Sequence, residues 1–145
     1  MADTQTIAEL NGISSVEDRT QLQKLQALLD AFTPDSLSPE AFRVLFGVFE
    51  RFPDHDGYGI FWSILHLLEK KQGYESFLLE SVSRCPTEFT LAMVNRLLNS
   101  GVTEVEGRSL LSVLAATAAA PSASASAQTW ARKFLEHQQS RGNNA

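Results

Sequence analysis

The hydrophobic residues of this chain recur at intervals of three and four, the spacing of helices with one or two buried faces. The pattern is densest over 59–71, where the apolar stripe is too wide for a half-exposed surface helix. We therefore predict a central helix there, which ends before Gly73. Two further helices are predicted directly after it, over 74–84 and over about 87–100, with Gly101 as the C-terminal cap of the second.

The same pattern predicts two helices before the central one. Ser14 and Glu17 have the spacing of a capping box and start a helix over about 15–32. A Ser-Pro pair starts the next helix, over 39–52, which carries more aromatic mass than one face can hold. Residues 1–13 are polar, with a little helical patterning around Ile7, Ala8 and Leu10, and we expect them to form a loosely docked arm.

The C-terminal part of the chain predicts two more helices and no strand. Thr103 and Glu106 repeat the capping-box spacing and indicate a helix over 103–120. The Ser/Ala-rich segment that follows is either a linker or the frayed start of a last helix, whose one apolar stripe includes Trp130. Residues 141–145 are expected to be disordered.

About seven antiparallel helices joined by short turns predict an all-α fold, and the length of 145 residues suits a single domain over 1–145. Helix pairs that recur about every 35–45 residues are typical of a HEAT-like α-solenoid stack, which we predict in compact form. An irregular helical bundle is the alternative. The residues expected in the core are Phe46, Phe49, Ile64, Leu65, Leu68, Phe89, Val94 and Leu97.

Composition narrows the class of protein. A hydrophobic fraction of 43% with 20% charged residues is ordinary for a globular domain, and the apolar runs are too short and interrupted to cross a bilayer. The N-terminus has no signal-peptide pattern, so we expect the chain to stay in the cytoplasm. The single cysteine, Cys85, excludes an intramolecular disulfide and suits a reducing compartment.

The charge is unevenly distributed along the chain. The net charge is −5, and residues 1–60 hold ten acidic against four basic side chains, whereas residues 61–145 hold seven against eight. This asymmetry disfavours nucleic acid or an anionic membrane as a partner. It favours a partner protein with a basic surface.

One stretch, 54–59 with the sequence DHDGYG, has the composition of a site. Its D-x-D start is typical of a calcium loop, but Tyr58 and Leu65 occupy the fifth and twelfth positions, where oxygen ligands are required, so we reject calcium. His55 and His66 with the aspartates do not guarantee three ligands aimed at a zinc ion. We expect no metal and no cofactor.

Two interpretations of this stretch are compatible. Asp54 or Asp56 can cap the following helix while the two glycines adopt unusual backbone angles. Alternatively, an exposed Tyr58 ringed by acids can form a recognition edge with Trp62 as its floor, since aromatic anchors are common interface hot spots. The candidate partner-binding residues are Glu50, Asp54, Asp56, Tyr58 and Trp62.

No residue set in the chain predicts catalysis. No serine lies in a strand-turn-helix context, and no glycine-rich phosphate loop is present. Glu69 and Glu80 have no partner at a specific spacing, and Cys85 would need a nearby base to act as a nucleophile. We therefore predict that the protein is not an enzyme and has no catalytic residues.

Three segments, DGYGIFWSILHLLE, GYE and SRCPTEFTLAMVNRLLNSGV, together resemble small immunity proteins encoded beside bacterial polymorphic toxins, including those delivered by contact-dependent or type VI systems. The resemblance covers about residues 52–102. It implies a cytoplasmic protein that neutralises a cognate toxin by tight binding rather than by chemistry. It brings no functional residues with it. The alternatives are a helical adaptor or scaffold domain for another protein and, more remotely, an enzyme with an unrecognised site.

Overall fold

A computed structural model of the chain describes residues 4–33, 35, 37–70 and 73–143, and nearly all of its regular structure is helical. The predicted all-α class is confirmed. The helices of the described residues are α1 (Thr4–Asn11), α2 (Arg19–Asp30), α3 (Pro39–Arg51), α4 (Ile60–Glu69), α5 (Glu75–Arg84), α6 (Glu88–Asn99), α7 (Leu110–Ala119) and α8 (Ala125–Asn143). A 3-10 turn at Gly57–Gly59 and a hairpin of β1 (Glu104–Val105) and β2 (Arg108–Ser109) complete the elements.

The chain divides into two compact units, Met1–Phe77 and Leu78–Ala145, and the division falls within α5. The first unit contains α1 to α4, and the second contains α6 to α8 and the hairpin. The expectation of one domain over 1–145 stays a prediction. Within the part of the chain that the structure describes, no helix combines the length and the apolar character needed to span a bilayer.

The core of the first unit forms around α3. Ser38 accepts a hydrogen bond from the backbone N–H of Ala41 at 3.2 Å, which caps the helix as its Ser-Pro start predicts. Phe49 packs edge-on against Phe46 and Phe61, with ring centroids 6.3 and 5.3 Å apart. The eight residues predicted for the core, of which five lie in this unit and three lie on α6 in the second unit, are at most 6% exposed.

The N-terminal segment differs from the prediction of a loosely docked arm. Residues Thr4–Asn11 form α1, and Leu10 and Ile13 are fully buried. The guanidinium of Arg51 donates hydrogen bonds to the carbonyl oxygens of Leu10, Asn11 and Ile13 at 2.8, 2.7 and 2.9 Å. Because the last carbonyls of a helix lack partners within it, this cation satisfies the end of α1 and holds it in place.

Helix α2 starts later than the predicted capping box at Ser14 and Glu17. Its N-cap is Asp18, whose carboxylate accepts from the N–H of Thr20 at 3.0 Å. Before it, the Ser15 hydroxyl accepts from the N–H groups of Glu17 and Asp18 and shapes a turn. Such a turn replaces the first helical turn, because short hydroxyl side chains compete with helical hydrogen bonding.

The prediction of a helix over the whole of 103–120 is wrong at its start, where the structure has the hairpin. Glu106 and Gly107 have φ values of 52° and 78°, and two consecutive positive φ angles are what a tight type I′ hairpin turn requires. Helix α7 begins only at Leu110, with Ser109 as its N-cap. The capping-box spacing was coincidental, because Gly107 favours the turn over a helix.

The remaining helices follow the prediction closely. Thr87 and Thr90 form a reciprocal capping box at the start of α6, and Gly101, with φ of 96°, follows its end. Helix α8 runs to Asn143, so residues 141–143 are helical, and residues 144–145 lie outside the described residues; the expected disorder of 141–145 stays a prediction. The last turns of α8 are tied to α6, since Gln138 and Arg141 both donate to the Asn99 side chain.

Leu65→Ala should lower the free energy of unfolding by about 2–5 kcal/mol, because it removes buried methyl groups and leaves a cavity. Leu65 is 0% exposed. Leu111, 42% exposed on α7, provides the control, and Leu111→Ala should cost less than about 0.5 kcal/mol. Urea denaturation followed by circular dichroism measures both, and equal losses would contradict the assignment of the core.

Arg51→Ala should lower the free energy of unfolding by about 1–2 kcal/mol, because it leaves the end of α1 uncapped while the guanidinium is only partly desolvated. The loss should be local, so amide hydrogen exchange in residues 4–13 should accelerate more than in α3. Arg132→Ala, which removes an exposed arginine from α8, is the control. Unchanged exchange at residues 4–13 would show that Arg51 does not hold α1.

Candidate functional site

Residues 54–59 form the tight turn between α3 and α4. The Asp56 carboxylate accepts a hydrogen bond from the N–H of Tyr58 at 2.9 Å, and the Asp56 carbonyl accepts from Gly59 and Phe61 at 3.1 and 3.2 Å. The capping interpretation therefore holds for Asp56, although it caps the 3-10 turn. The N-cap of α4 itself is Gly59, which has no capping side chain.

Three consecutive residues of this turn have positive φ angles: Gly57 at 60°, Tyr58 at 51° and Gly59 at 93°. Gly57 cannot carry a side chain without movement, because a Cβ there would lie 2.8 Å from the Phe61 ring. Tyr58 is a bulky residue in the left-handed region, a conformation that costs about 1–3 kcal/mol. Tyr58 is 71% exposed, so burial of its ring does not offset the strain in its backbone.

The imidazole of His55 connects this turn to a distant segment. Its Nδ1 accepts from the N–H of Gly57 at 2.8 Å, which assigns the ring proton to Nε2. Nε2 lies 3.7 Å from the Glu17 carboxylate, which precedes α2. The ring also packs edge-on against Tyr58, with centroids 5.3 Å apart. The His55 ring thus contacts the Tyr58 ring and faces the Glu17 carboxylate, which belongs to another part of the chain.

A shallow groove of about 420 Å³, here called the acidic groove, lies between the segments 14–17 and 52–55. Val16, Phe52 and Pro53 supply apolar lining, and the exposed Glu17 and Asp54 supply the carboxylates. Sequence reasoning did not find the 14–17 wall of this groove. The two segments are nearly 40 residues apart, and nothing in the local pattern of either segment indicates that they meet.

Arg51 fixes the relation between these two walls. It directly precedes Phe52, stacks over the Phe52 ring at 5.6 Å, and donates to the carbonyls of Asn11 and Ile13 just before the other wall. Burial lowers the pKa of the Arg51 guanidinium, yet arginine remains a cation at any physiological pH. Its N–H donors are directed at backbone carbonyls, so they secure the segment that leads into the groove.

The five candidate residues occupy different environments. Asp54, Asp56 and Tyr58 are all exposed residues of the turn. Trp62, one turn into α4, is 45% exposed and its ring lies 6.2 Å from that of His66, so it extends the aromatic surface instead of forming a buried floor. Glu50 is half-buried in the last turn of α3, so its side chain is less accessible to a partner than those of the two aspartates.

A second concavity, of about 380 Å³, lies between α2 and α4. Its polar lining combines Asp30, Ser63, His66 and Lys70, so it carries both signs of charge.

The described residues contain no group of three or more His, Cys, Asp and Glu side chains that could hold a metal ion. The two histidines of the first unit, His55 and His66, each contact an aromatic ring instead. The absence of a metal or cofactor stays a prediction.

No protein-family model, no curated protein and no solved structure matches this chain. The functional interpretation therefore depends on the chemistry of the site and on the resemblance in sequence. The site consists of a rigid aromatic turn, flanking carboxylates and the acidic groove.

Gly57→Ala should lower the free energy of unfolding by about 2–4 kcal/mol, because it adds backbone strain and a close contact with the Phe61 ring. Gly59→Ala is the matched control: its φ is also positive, but a Cβ there meets no atom within 4 Å, so only the strain of about 1–2 kcal/mol applies. Thermal and urea unfolding measure the difference. Equal losses would contradict the close packing of Gly57 on Phe61.

Proposed function

We propose that this protein is an immunity protein that binds a cognate bacterial toxin domain in the cytoplasm and neutralises it without catalysis or a cofactor. The observation that carries the proposal is the exposed Tyr58, held in a strained backbone conformation beside Asp54 and Asp56. Strain at an exposed residue has no structural benefit, so it favours a functional role. The resemblance over residues 52–102 specifies the role as immunity.

The rigidity of the turn suits tight binding. Side chains that are ordered before binding lose less conformational entropy when a complex forms. The Asp56 carboxylate and the His55 ring accept hydrogen bonds from the backbone that leads into Tyr58, at 2.9 Å and 2.8 Å from the Tyr58 and Gly57 nitrogens respectively. Tyrosine and tryptophan are also the residues most enriched among interface hot spots. Tyr58 is therefore the proposed anchor, with Trp62 beside it.

The charge of the site supports a basic partner. Asp54, Asp56 and Glu17 are all exposed, Asp54 and Glu17 line the acidic groove, and the Asp56 carboxylate lies 3.8 Å from the His55 ring. Complementary charge accelerates association and suppresses binding to wrong partners, and the effect is screened over about 8–10 Å at physiological salt. The same carboxylates would repel nucleic acid and anionic membranes, so the proposed partner is a protein.

Co-expression with the toxin-type protein encoded by the neighbouring gene should restore growth, and the two proteins should co-purify.

Tyr58→Asn should weaken binding by about 30-fold, mainly through faster dissociation, as expected for loss of an anchor worth about 2 kcal/mol. The variant should remain folded, because asparagine tolerates positive φ better than tyrosine does. Asp54→Asn should instead slow association, with a smaller effect at high salt.

Leu111→Asn, at an exposed apolar position of the second unit, is the control and should bind like the wild type. If the folded protein neither rescues growth nor binds the neighbouring protein, the proposal is wrong. Binding without rescue would favour the adaptor alternative. Rescue with wild-type behaviour of Tyr58→Asn would leave the immunity function intact and would exclude Tyr58 as the anchor.

A further inference from the structure

The acidic groove has a chemistry that selects one kind of occupant. Its lining is more apolar than polar, with Val16, Phe52 and Pro53 among its residues, and its carboxylates belong to Glu17 and Asp54. An apolar ligand would leave the carboxylates without partners, and a small cation would leave the apolar lining uncovered. A long side chain with an aliphatic stem and a cationic head satisfies both.

We infer that the acidic groove receives an arginine side chain of the partner protein, with the stem over Phe52 and Pro53 and the guanidinium between Glu17 and Asp54. This inference rests on the proposed function and names the chemistry by which the partner is recognised. Arginine fits better than lysine because its planar head stacks on aromatic rings and donates two parallel hydrogen bonds to a carboxylate.

The size of the groove agrees with this occupant. Its volume of about 420 Å³ leaves room for one long side chain. The groove is shallow and mostly open to solvent, so a side chain can lie in it while its backbone stays outside. A single side chain projecting from a folded partner meets both conditions.

The carboxylates of the groove are available to a partner. Among the described residues, neither Glu17 nor Asp54 is paired with a lysine or arginine. Arg51 is adjacent in sequence to the groove, but its guanidinium donates to the carbonyls at the end of α1. Glu17 lies 3.7 Å from the His55 imidazole, which is a charged partner only when protonated, and the Glu17 side chain is 76% exposed.

The groove and Tyr58 form a continuous recognition surface. His55 lines the groove and packs edge-on against Tyr58 at 5.3 Å. A partner that places an arginine in the groove therefore has the tyrosine within reach. Two contacts of different chemistry discriminate between partners better than one, because a wrong partner must satisfy both.

The test uses the isotope-labelled full chain without any toxin. Nα-acetyl-arginine amide should cause saturable NMR shifts centred on residues 14–17 and 52–55. The isosteric, uncharged Nα-acetyl-citrulline amide should cause none, and Nα-acetyl-lysine amide should bind at least about threefold more weakly, since it cannot form the bidentate contact. Glu17→Gln combined with Asp54→Asn should weaken arginine binding about tenfold, the scale of two exposed ion pairs.

Glu104→Gln combined with Glu136→Gln changes the net charge equally at exposed positions of the second unit and should leave binding unchanged. Equal shifts with citrulline, or no effect of the groove variants, would overturn the inference. Lysine binding as tight as arginine would overturn the choice of arginine. Neutralisation of a toxin by a protein whose groove ignores arginine would refute this inference alone, whereas arginine binding without any toxin neutralised would refute the proposed function alone.

Discussion

The contact between the Arg51 guanidinium and the carbonyls of Leu10, Asn11 and Ile13 is the constraint on which the candidate site depends. This contact lies at the C-terminal end of α1 and fixes the segment that leads to Glu17. Arg51 itself is adjacent to Phe52 in the sequence. Without it, the two walls of the acidic groove would belong to independent segments of the chain. One side chain thus holds the segments 14–17 and 52–55 together as a single surface.

The turn at 54–59 shows a different relation between stability and function. Most of the chain is locally consistent: caps, apolar stripes and helix ends agree with one another. At Tyr58 the backbone instead adopts a conformation that the residue disfavours, and flanking glycines and the Asp56 carboxylate maintain it. Departures of this kind in an otherwise consistent sequence are expected at functional sites, because selection there acts on binding as well as on folding.

The elements that could be predicted are those whose signals are local. The Ser-Pro start of α3 and the apolar stripes of α4 and α6 need only neighbouring residues, and their helices were predicted to within about two residues at most ends. Helix α1 was missed because its stabilising partner, Arg51, is about 40 residues away. The hairpin was missed because Glu106 fits both a capping box and a type I′ turn, and only the backbone angles distinguish them. The candidate turn was found from composition, whereas the groove beside it required tertiary structure.

The way the 54–59 turn is built has a consequence for how binding could diversify among related proteins. Its shape is set by backbone hydrogen bonds, by two glycines and by Asp56, and the Tyr58 side chain contributes an exposed ring. A substitution at position 58 can therefore change what is recognised while the scaffold remains folded, and some substitutions would even relieve strain. A descendant of this protein could acquire a new partner by a single exchange at this position, with no compensating mutation in the core.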